Sequence, residues 1–122
     1  MKKISFFFLI CFSACTNIVE KPDNLIGEEK MTQVLTDFYI HQQASYINEI
    51  NNKKMDLAKI DAQILKEHQT NAKDFEESFR FYYLHPEIYN EILLAVRDKL
   101  EEKLPEAERK KRIEDRKNKE KK

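Results

Sequence analysis

Asp74-Phe75-Glu76-Glu77-Ser78-Phe79-Arg80-Phe81-Tyr82-Tyr83-Leu84-His85-Pro86-Glu87-Ile88-Tyr89 is the stretch that decides the fold. Phe75, Ser78, Phe79 and Tyr82 recur at the three- and four-residue steps of one helical face, with Phe81 and Leu84 on another. His85-Pro86 ends the run, because the residue before proline is pushed out of helical geometry, and Pro86 suits the first turn of a new helix. Helix, sharp turn and helix in direct succession set the expectation for the rest: an all-α fold.

Working outward, residues 86–104 carry the broadest apolar face, formed by Ile88, Tyr89, Ile92, Leu93, Val96 and Leu100. Upstream, Asn71 is the expected cap of the aromatic helix, which follows a helix opened by Asp56 and closed near His68. Leu57, Ile60, Ile64 and Leu65 form the inward stripe of that helix, and Asn51-Asn52-Lys53-Lys54 before it reads as a loop. The first helix is expected over 28–50, with Glu28 and Glu29 at its positive end and Met31, Val34, Leu35 and Phe38 facing the core. Gln42 and Ser45 continue that stripe as polar residues while Ile40, Ala44 and Ile47 gather opposite, so the face is expected to switch halfway. Pro22-Asp23-Asn24-Leu25-Ile26-Gly27 is a turn-rich entry, with Leu25 and Ile26 tucked onto the domain.

The two ends differ from this middle. Met1-Lys2-Lys3, an apolar run from Ile4 to Phe12, and Phe12-Ser13-Ala14-Cys15 have the layout of a secretory signal ending in a lipobox. The run is about ten residues, short of the ~20 that span a bilayer, so cleavage before Cys15 is expected rather than a transmembrane anchor. Cys11 is a poor rival because β-branched Ile10 precedes it. Acyl chains on Cys15, palmitate among them, would fix the protein to a membrane, since each buried methylene contributes about 0.8 kcal/mol. Thr16 to Lys21 is then a tether reaching about 20 Å at full stretch. At the other end, residues 105–122 are almost pure charge and net basic, with Ile113 the one large apolar residue. Glu106–Lys110 and Glu108–Arg112 are helix-supporting pairs, but without a buried face the tail is expected to be frayed or disordered.

The expected organisation is therefore a lipoprotein signal peptide (1–14), a lipidated tether and entry (15–27), a compact bundle of about four helices (28–104) and the charged tail. One glycine, three prolines and no tryptophan in 122 residues agree with helices throughout.

Composition excludes several functions. With Cys11 in the leader and Cys15 lipidated, no thiol is left for a nucleophile, a zinc ligand or a redox role. The chain balances 22 basic against 22 acidic residues, and loss of Lys2 and Lys3 tips the mature form slightly acidic, which argues against nucleic acid. Gly27 alone makes no phosphate loop. Ser78 lacks a glycine-flanked elbow and a base, and reads as a small residue between close helices. Asp37 and His41 lie one turn apart and would offer two metal ligands, but a third ligand and an H-E-x-x-H motif are missing. His68 and His85 each close a helix, where the negative dipole end favours an imidazolium. No catalytic residue, metal or cofactor is expected.

Some of these stretches resemble a known family. Lys21-Pro22-Asp23-Asn24-Leu25-Ile26, Met31 and Leu35-Thr36-Asp37-Phe38 are similar to the opening of the domain-of-unknown-function 4296 family of small Bacteroidota lipoproteins. Ile64-Leu65-Lys66-Glu67-His68, then residues 74–83 and His85-Pro86-Glu87, resemble its second signature, and the match spans roughly 21–104. Gln69 departs from it, standing where glycine is expected after the histidine. The resemblance implies a helical lipoprotein and highlights Asp37, His68, Phe75, Ser78, Tyr82, Tyr83, His85 and Pro86, but it implies no activity.

The expected function is a non-catalytic binding or assembly factor in the cell envelope, lipid-anchored in the outer membrane and facing the periplasm. Phe75, Ser78, Phe81, Tyr82, Tyr83, His85 and Tyr89 are the candidate surface for another envelope protein, because a small bundle buries two aromatic stripes of one helix with difficulty. The alternatives are a tether touching lipid or cell wall through the basic tail, and a metal enzyme built on Asp37 and His41.

Overall fold

The computed structural model describes residues 20–50 and 56–121, without the side chains of 48–50. The signal segment, Cys15 and most of the tether lie outside the described residues, as does the loop expected at 51–54.

Five helices follow in order: α1 (Glu28–Ile50), α2 (Leu57–Glu67), α3 (Ala72–Tyr83), α4 (Pro86–Glu102) and α5 (Glu106–Glu120). The first four form the bundle. α1 is its axis, packing chiefly on α4 and then on α2, while α3 touches α4 and α2. Capping follows the sequence: the Asp56 carboxylate accepts the Lys59 N–H at 3.3 Å, and the Asn71 side chain accepts the Asp74 N–H at 3.0 Å. Pro86 takes the first turn of α4, where its missing N–H deprives the helix of nothing.

The core has two parts. The larger joins Ile26, Met31, Leu35, Tyr82, Ile92 and Val96, and the smaller joins Val34 with Ile64 and Leu65 of α2. Phe38 and Phe75 pack on both, edge to face with centroids 5.2 Å apart, so one aromatic pair welds the two. Met31 and Val34 are fully buried, and truncation of such a side chain to alanine typically costs about 2–5 kcal/mol.

Three expectations are corrected. The inward face of α1 switches only in part: Ser45 stays inside at 5 % exposed and Ile47 is 51 % exposed, while Gln42 is exposed and Ile40 and Ala44 are half-buried. Leu57, expected inward, opens α2 and is 42 % exposed. The charged tail is helical over Glu106–Glu120, although no residue of it is buried. Acids lead and bases follow along α5, and Lys110–Glu106 (2.7 Å) and Arg112–Glu108 (3.0 Å) pair one turn apart. Arg116 also reaches back across the turn to grip Glu101 of α4 with both terminal nitrogens, the second at 2.9 Å. That bidentate contact is also what raises the Arg116 pKa.

α2 ends in an unusual way. The Gln69 N–H bonds the Lys66 carbonyl (3.0 Å) and the Thr70 N–H bonds the Leu65 carbonyl (2.9 Å), the paired closure that glycine normally completes. Gln69 accordingly adopts φ 53°, the left-handed region, and is the single described non-glycine residue to do so.

Candidate functional site

Ser78 faces inward from the middle of α3 and is fully buried. Its hydroxyl accepts the Ile26 N–H at 2.9 Å. One turn later the Tyr82 hydroxyl donates to the Ile26 carbonyl at 2.6 Å. Both backbone groups of Ile26 are thus satisfied by α3, which lets an irregular segment lie inside the core without orphaned polar atoms. Burial, and secondarily the charge of Glu28, raises the Tyr82 pKa above the ordinary 10.0.

A different face of α3 carries a ladder of rings. Phe75 stacks on Phe79 (5.9 Å), Phe79 on Tyr83 (6.4 Å), and Tyr89 from α4 meets Phe79 and Tyr83 edge-on at 5.8 and 6.0 Å. Burial pushes the Tyr89 hydroxyl pKa up, helped by its neighbours Tyr39 and Tyr83. Beside the ladder runs a groove of about 280 Å³ between α1, α3 and α4. Leu35, Phe38, Tyr39 and Gln42 form its α1 wall, and Phe75, Phe79, Tyr89 and Leu93 the other. No lining residue is charged. Tyr39 in its wall is 47 % exposed, and Tyr83, stacked on the lining Phe79 beside it, is 64 % exposed.

The seven residues proposed from sequence as one surface therefore divide three ways. Phe75, Tyr83 and Tyr89 belong to the ladder. Ser78 and Tyr82 are withdrawn into the core, where they hold the entry segment and present nothing to a partner. Phe81 and His85 pair with each other, rings 4.2 Å apart, with His85 Nδ1 2.6 Å from the Phe81 carbonyl and donating to it. Sequence reasoning missed Phe38, Tyr39, Gln42 and Leu93, whose share in the groove depends on how α1 and α4 cross.

A second site is polar. The Asp37 carboxylate on α1 meets His68 Nε2, at the end of α2, at 2.7 Å. Asp37 thus pairs with a residue 31 positions away rather than with His41, which is exposed and borders a hollow with Lys59, Gln63 and Glu67. Among the described residues no group of three or more His, Cys, Asp or Glu side chains is placed to hold a metal. The pair lines an open cleft of about 440 Å³ with Gln33, Thr36, Lys99, Glu102 and Lys103. The sequence signal for it was the resemblance, which highlighted Asp37 and His68 without joining them.

No helix among the described residues is long and apolar enough to cross a membrane. No curated protein and no solved structure matches the chain. A family model described as Domain of unknown function (DUF4296) matches residues 22–106, which takes in the entry segment and all four bundle helices. By that match, over well more than half its length, the chain belongs to the DUF4296 family.

Proposed function

We propose that this protein is a lipid-anchored envelope lipoprotein whose bundle binds a segment of another envelope protein and performs no catalysis. In this reading Cys15 carries the lipid, the membrane is the outer membrane, and the domain faces the periplasm. The observation that carries the binding role is the uncharged groove and its rim of half-exposed tyrosines. In a chain with 44 charged residues among 122, a lining of eight neutral ones favours an apolar, uncharged stretch of polypeptide as occupant. Tyrosine suits such a rim, offering a large rigid face with a hydroxyl that stays wet. The test is photocrosslinking in cells from Tyr83 or Tyr39, with Arg112 on α5 as control. One discrete adduct from the two tyrosines and none from Arg112 supports the reading; no adduct, or identical smears from all three, defeats it.

A second reading, a tether that contacts anionic lipid or cell wall, is favoured by α5 being an ordered, net basic helix with no buried residue. Deleting residues 105–122 separates the two, because it abolishes a tether and leaves groove binding intact.

A further inference from the structure

We propose that the Asp37–His68 cleft is a binding site for a small oxyanion that itself carries hydrogen-bond donors, such as hydrogen phosphate or a hydroxy- or amino-carboxylate. The argument begins with His68. A carboxylate only accepts, so the 2.7 Å contact requires His68 Nε2 to carry the hydrogen and Asp37 to receive it. The other ring nitrogen, Nδ1, has no partner among the described residues. It is not sealed away either, because no buried side-chain nitrogen or oxygen among them lacks a partner. Asp37 therefore locks the imidazole in one orientation and leaves one nitrogen open to solvent, in a ring otherwise largely covered.

The rest of the cleft is complementary to a particular kind of ligand. Lys99 and Lys103 stand one turn apart at the end of α4, and neither has an ion pair among the described residues. Glu102 between them is likewise unpaired, its neighbour Glu101 being the one that Arg116 takes. Two ammonium groups ask for negative oxygens. The uncommitted Glu102 carboxylate asks for a hydrogen, and so does His68 Nδ1 while the ring is neutral. A ligand with only negative oxygens meets the lysines and is repelled by Glu102 and by the partly exposed Asp37, whereas one that also brings O–H or N–H groups can donate to these carboxylates. The space admits a molecule of a few to a dozen heavy atoms. Two helix ends and the centre of α1 supply these groups, so the site exists only in the folded bundle.

The experiment titrates the ¹⁵N-labelled 122-residue chain, in detergent micelles at constant ionic strength, with three probes of known donor content. Inorganic phosphate carries a P–OH at neutral pH. Sulfate has similar oxygens and no hydrogen, and dimethyl phosphate mimics a phospholipid diester that also lacks one. Expected are saturable amide shifts at His68, Lys99 and Lys103 with phosphate, Kd on the order of 1 mM, and roughly fivefold or weaker binding of the other two. Lys99→Gln/Lys103→Gln should lower phosphate affinity about tenfold. Lys103→Gln alone, at an exposed position, serves if the double variant loses its fold. Shifts that never saturate, sulfate or dimethyl phosphate binding as tightly as phosphate, or lysine variants that bind undiminished would each overturn the assignment. None of these readouts depends on the groove or its protein partner.

Discussion

Asp37 and His68, thirty-one residues apart, close on each other at 2.7 Å and fasten the end of α2 to the middle of α1. The carboxylate is partly exposed and the imidazole mostly covered, so solvent screens the contact without cancelling it. Asp37→Ala and His68→Ala should each cost about 1–2 kcal/mol, and the double variant should show a coupling of about 1 kcal/mol in urea unfolding. Strict additivity would mean that His68 acts through its cap position alone.

Gln69 holds a left-handed conformation that favours glycine. Gln69→Gly should therefore raise stability by about 0.5–1 kcal/mol, the relief of strain exceeding the entropy that glycine adds to the unfolded chain. Thermal unfolding of the two proteins side by side gives the sign, and a destabilised Gly variant would count against the strain.

Ser78→Ala removes the acceptor for the buried Ile26 N–H and should cost about 1–3 kcal/mol, more than an ordinary loss of one hydroxyl. Amide exchange localises the effect: Ile26 should lose protection well before the centre of α4 does.

Tyr82 gives a pH dependence at the alkaline end. Its pKa in the fold lies above the 10.0 of an unfolded chain, so below pH 10.0 both states hold the proton and its contribution is complete. As pH climbs past that point the unfolded state releases the proton first, binds fewer protons than the fold, and stability falls until the pKa of the folded tyrosine is passed. Tyr82→Phe should lose about 1 kcal/mol at neutral pH, from the hydrogen bond to Ile26, and show a shallower alkaline decline. Tyr89, shifted in the same direction, keeps the slope from vanishing.

The helicity of α5 depends on charges at the surface. Arg116→Gln should lower α5 helicity, seen in amide exchange of residues 106–120, and lower the melting of the bundle only slightly, by the loss of the partner of Glu101, since no residue of α5 is fully buried. Salt near 1 M should act in the same direction by screening.

Much of the bundle was legible because its signals are local. Pro86, the caps Asp56 and Asn71, and the spacing of Met31, Val34 and Leu35 each act within a turn or two of chain, and they lie where periodicity puts them. α5 was only half legible: its i,i+4 pairs stood in the sequence, but the crossing of Arg116 to Glu101 adds a partner outside its own helix. The candidate surface was legible only as a composition of rings. Phe75, Tyr83 and Tyr89 share a ladder, but whether Ser78 and Tyr82 turned toward a partner or toward the core depended on the path of Ile26, which no helical pattern encodes. Asp37 and His68 were each noticed, and their meeting follows from the angle between α1 and α2.

The two bonds that α3 makes to Ile26 have a mechanical consequence. A pull on the chain ahead of Ile26 is borne first by Ser78 and Tyr82, before it can unwind the first turn of α1. Load entering from that end is thus delivered to the helix that carries the ring ladder, through a rivet in the interior rather than a loose hinge on the surface.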